Sequence, residues 1–109
     1  MICFKHLLLF HLLDYCWEVN DISDDLPALL GEMSPYLHLE GTPMDNEVYN
    51  DWDNICVNLN DKKDLLNKVE QLLLLYEEKY HFNFRDTKKA LANISDDEIA
   101  NILNYCVNI

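Results

Sequence analysis

Apolar residues along this chain recur at intervals of three and four, and no segment sustains an alternation in twos. That rhythm places side chains on one face of an α-helix, whereas a half-buried strand needs a period of two. Met44, Val48, Trp52, Ile55 and Leu59 show it best: at about 100° per residue they fall within an arc of about 80°. Only two glycines and three prolines interrupt the 109 residues, too few for the many tight turns of an all-β domain. With half of its residues apolar, the chain can bury a core of its own. The expectation is a single all-α domain of five or six helices spanning 1–109.

Residues 2–18 read as a first helix, apolar nearly all round and therefore central. Its start does not match a signal peptide, because His6 and His11 interrupt the Leu-rich run and Asp14 and Glu18 close it. The run is also shorter than the ~20 residues that span a bilayer. "LPALLGEM", with Pro27 in its first turn, reads as a short second helix capped by Ser23 or Asp24. Residues 34–43 read as a loop, and Thr42, Pro43 and Asp45 as a helix start. The longest helix covers 62–81, with Leu65, Val69, Leu72, Leu73, Tyr76 and Tyr80 inward. Asp86 or Thr87 opens a further short helix through Ala92. Ser95 and Glu98 form a capping box for the last one, with Ile99, Ile102, Leu103 and Cys106 as its stripe.

Chemistry is harder to find. His6 and His11 diverge by about 140° on a helix, and no H-x-x-x-H or H-E-x-x-H spacing occurs. "DNEVYNDWDNI" has the oxygens of a calcium loop but lacks its turn glycine, and its apolar stripe argues for helix. Asp51 and Asp53 diverge by about 200°, a poor acid/base pair. Gly31 and Gly41 cannot make a phosphate loop, and no G-x-S-x-G nucleophile site exists. Cys3, Cys16, Cys56 and Cys106 stand in apolar contexts without a C-x-x-C pair, which points to free buried thiols and a cytoplasmic setting. A non-enzymatic chain without metal or other cofactor is therefore expected.

Charge carries the functional signal. Residues 1–61 hold twelve acids against Lys5 alone, a net of −11, while residues 62–109 are nearly balanced at −1. Nucleic acid and anionic membrane need clustered Lys/Arg and are disfavoured as direct partners. A positively charged protein is the natural complement, and simple solubility is the competing explanation. Asp45, Glu47, Asp51 and Asp53 surround Tyr49, which projects about 100° from the centre of the apolar stripe; this set is the first candidate interface. A half-buried Tyr49 at the core edge is the alternative. Asp21, Asp24 and Asp25 form a second cluster.

"LLGEMSPYLHLEGTPMDNEVYNDW" (29–52), followed by the Leu-rich helix ending "YEEKYHFNF", resembles small immunity proteins of contact-dependent growth inhibition and related polymorphic toxins. The likeness covers roughly residues 28–84 and rests on a loop-Pro-acid-Trp pattern. It implies a protein that binds and neutralises the C-terminal toxin domain of a cognate effector, commonly a basic nuclease. Two other classes compatible with the residues are a phage-type acidic inhibitor of a host nuclease and a non-catalytic regulatory module.

Overall fold

The computed structural model describes residues 4–33, 47–57 and 61–108. These residues form six helices and no strand: α1 (Phe4–Val19), α2 (Leu26–Met33), α3 (Glu47–Ile55), α4 (Lys62–Tyr80), α5 (Arg85–Ala92) and α6 (Asp96–Val107). The radius of gyration, 13.1 Å, matches the ~13 Å expected of one compact domain near this length. The all-α single domain read from the periodicity is what forms. The loop 34–43, the helix start at Thr42–Asp45, Cys3, His38, Met44 and Leu59 lie outside the described residues.

α1 is central because it is apolar on most of its faces. Leu7, Leu8, Leu9, Phe10, Leu12, Leu13 and Cys16 are all buried, and the helix packs against α2, α5 and α6. Its C-terminal carbonyls would be orphaned, and Asn20 Nδ2 satisfies that of Cys16 at 3.1 Å. α3 packs on α4 and α2. Its Val48 and Trp52 fill the core as the stripe predicts, and Trp52 Nε1 donates to the Lys5 carbonyl of α1 at 3.0 Å. In α6 the capping box forms, with Ser95 Oγ accepting from the Glu98 N–H and the Glu98 carboxylate from the Ser95 N–H.

α4 runs inward through Leu65, Val69, Leu72, Leu73 and Tyr76, but Tyr80 does not join them. It is 43% exposed, and its hydroxyl donates to Glu47 at 2.5 Å. The reason is its place on the helix's last turn, where the ring finds a polar partner on α3. His81 then ends α4 in the left-handed region at φ 60°, a role glycine usually fills.

Candidate functional site

The structure redistributes the acids singled out in the sequence. On α3, Glu47 and Asp51 stand one turn apart and face α4, where Lys79 pairs with Glu47 and Tyr76 donates to Asp51 at 2.9 Å. Asp53 turns the other way and accepts from His6 Nε2 at 2.8 Å. Tyr49 is no exposed anchor: only 7% of it is accessible. Its ring stacks on His6 with centroids 4.4 Å apart, and its hydroxyl donates to the carbonyl of Met33, the last residue of α2. A tyrosine about 100° off the stripe centre still reaches the core when helices flank that side, as α1 and α2 do here. Glu47 and Asp53 keep side-chain exposures of 50% and 45%. Asp45 lies outside the described residues.

The second cluster is a clasp between chain segments some sixty residues apart. Asp24 Oδ1 accepts from the Leu26 N–H at 2.9 Å, at the start of α2. Its Oδ2 accepts from the Thr87 N–H at 2.8 Å, and the buried Thr87 hydroxyl donates to the same carboxylate. Asp24 thus caps α5 from a distance, which matters because Phe84, the residue at the N-cap position, offers no side-chain oxygen. Asp86 returns the favour to the Ser23 N–H at 2.9 Å, and Asp25 accepts from the Asn83 N–H at 2.7 Å. Of this group Asp21 alone is exposed, with no hydrogen bond to another described residue.

Among the described residues a groove of about 380 Å³ lies between α1 and α6. His11, Asp14, Tyr15 and Glu18 line it from α1; Glu98, Asn101, Ile102 and Tyr105 line it from α6. Each helix contributes positions i, i+3, i+4 and i+7, the spacing that builds one helical face. His11 meets Tyr105 edge to face, with centroids 4.9 Å apart. Three carboxylates and two tyrosines therefore share a concave surface whose lining contains no Lys or Arg. Burial lowers the His11 pKa from its usual value, against the pull of Asp14 and Glu18, which raise it.

None of the acids proposed from the sequence lines this groove. Asp14 and Glu18 look like the end of an apolar run, and Glu98 like a cap. The signal that could have marked them is a like-charge pair at i, i+4 near the C-terminus of α1. Repulsion at that spacing costs a few tenths of a kcal/mol, and a carboxylate in the last turn opposes the helix dipole. Neither acid has a cation partner among the described residues.

Other chemistry has little foothold. Burial pushes the Cys16 thiol up to about 12 and the Cys56 thiol up to about 11, so both are packing groups rather than nucleophiles. Among the described residues no cluster of three or more His, Cys, Asp or Glu side chains is placed to hold a metal ion. No described helix is long and apolar enough to cross a membrane. Comparison with known proteins returned no matching family model, no matching curated protein and no matching solved structure.

Proposed function

We propose that this chain is a non-catalytic binding protein that captures a positively charged protein, in the manner of an immunity protein neutralising the C-terminal domain of a cognate toxin. A basic nuclease is the partner whose charge fits best. One observation carries the reading: the fold uses several of its carboxylates as acceptors for uncharged donors. Asp24, Asp25, Asp51, Asp61, Asp86 and Glu98 accept from backbone N–H groups or hydroxyls, which are neutral donors. Glu47 and Glu77 do meet lysines, Lys79 and Lys88. The neutral donors bring no positive charge of their own, so they leave the chain's formal net charge of −12 to act as an external field. Such a field accelerates capture of a basic partner and repels nucleic acid.

The experiment pairs the chain with the toxin domain encoded beside it and follows association by stopped flow and native mass spectrometry. Between ~0.01 M and ~1 M salt the screening length falls from about 30 Å to about 3 Å. The association rate is expected to drop at least about tenfold over that range. A complex whose association rate ignores salt would remove the electrostatic argument, and a chain that neither binds nor protects against that toxin would remove the immunity reading.

A further inference from the structure

We propose that the α1–α6 groove seats an arginine-bearing segment of the partner; this rests on the basic-partner reading above and names where it acts. The size fits, since about 380 Å³ is near the lower end of ligand pockets and admits one or two side chains, not a folded surface. Its chemistry selects a cation with a planar face. Asp14, Glu18 and Glu98 supply carboxylates from two helices, and Tyr15 and Tyr105 supply rings. A guanidinium can pair with carboxylates through two N–H donors at once and stack on an aromatic face, which a lysine ammonium does less well. Tyr105 is 57% exposed and touches His11 edge to face, so it already stands at the groove wall.

Asp14 and Glu18 repel one another across one turn of α1, Glu18 stands in the helix's unfavourable last turn, and that turn holds no basic residue. The capping and clasping acids elsewhere in the molecule each satisfy a donor. In the groove, Asp14 and Glu18 accept no hydrogen bond from any described residue, although Glu98 caps α6. An incoming cation would relieve the repulsion between the two carboxylates.

The test uses the full chain and a short capped peptide alternating glycine and arginine, titrated at low salt with amide NMR as the readout. Shifts are expected to concentrate at Asp14, Tyr15, Glu18, Glu98 and Tyr105. The double variant Asp14→Asn/Glu18→Gln should weaken binding by about tenfold or more, the scale of a charge-assisted contact. Glu70→Gln/Glu78→Gln removes the same charge from the exposed side of α4 and should weaken it by less than about twofold. Thermal melts of both variants confirm folding, and Asp14→Glu should retain affinity. Lysine peptide should bind less tightly than arginine peptide, with Tyr105→Leu narrowing the difference. Equal losses from the two double variants would overturn the groove and leave the basic-partner reading standing. Spermine shifting the same amides at higher affinity than the peptide would assign the groove to a small polyamine and overturn it as well. Capture of the toxin domain by a chain that ignores both peptides overturns the groove alone; failure to capture any basic protein overturns the reading beneath it.

Discussion

Asp24 holds the first turns of two helices with one carboxylate, and the donors it serves on Thr87 are buried. Removing it leaves those donors without a partner, and each such loss costs about 1–3 kcal/mol. Asp24→Ala should therefore destabilise the protein by about 3 kcal/mol in urea denaturation, a figure combining the lost cap and the unsatisfied donors. Asp21→Ala, three positions away but exposed, should stay within about 0.5 kcal/mol. Similar losses at both positions would contradict the clasp. "NDISDD" reads as one acidic run, and nothing local separates its members. What separates them is which donors arrive from residues 83–87 once the chain has folded.

At the scale of elements, short-range signals were dependable wherever both partners are close in sequence. The Ser95–Glu98 box and the α2 helix read as "LPALLGEM" form as expected, because capping and periodicity act within one or two turns. Gly31 sits inside α2 with nothing within 4 Å of where a Cβ would stand. Gly31→Ala should accordingly raise stability by about 0.5–1 kcal/mol through helix propensity and reduced freedom of the unfolded chain. A melting temperature that does not rise would show that α2 needs a bare backbone there. The α5 start was less legible: its cap comes from Asp24, and Glu77 of α4 accepts from the Phe84 N–H at 3.1 Å while pairing with Lys88 at 2.7 Å. None of these donor–acceptor pairs lies within the span that helix-start patterns cover.

The whole molecule responds to acid through groups whose protonation differs between folded and unfolded chains. Burial holds His11 below its ordinary pKa of about 6.5, so the unfolded chain takes up this proton first as pH falls. Stability from this group is complete above about 6.5 and is lost as pH drops through the folded value. Glu47 follows lower down, held below its usual range first by the Lys79 hydrogen bond and then by Tyr80. Burial raises the Glu77 carboxyl, but the bonds from Lys88 and the Phe84 N–H outweigh it and leave it lowered too. Their contribution is present above about 4.5 and fades with further acidification. Denaturant midpoints should therefore decline from neutral pH downward, and His11→Gln should flatten the upper part of that decline. A midpoint for this variant that keeps the full slope between neutrality and pH ~6 would assign the effect to another group.

Periodicity and sparse punctuation were enough to predict five or six helices around an apolar first one, of which the structure forms six, because amphipathic spacing is a local property that each segment carries by itself. The excess of acid in the first half was equally plain, since charge adds without regard to position. The assignment of individual carboxylates needed the tertiary structure. Tyr49 and its acidic neighbours looked like an outward surface until α1, α2 and α4 met them with His6, the Met33 carbonyl, Tyr76 and Lys79. Asp14, Glu18 and Glu98 looked like helix ends until the packing of α1 on α6 set them along one groove. A carboxylate's role depends on the donor that reaches it, and here most of those donors lie thirty or more residues away along the chain.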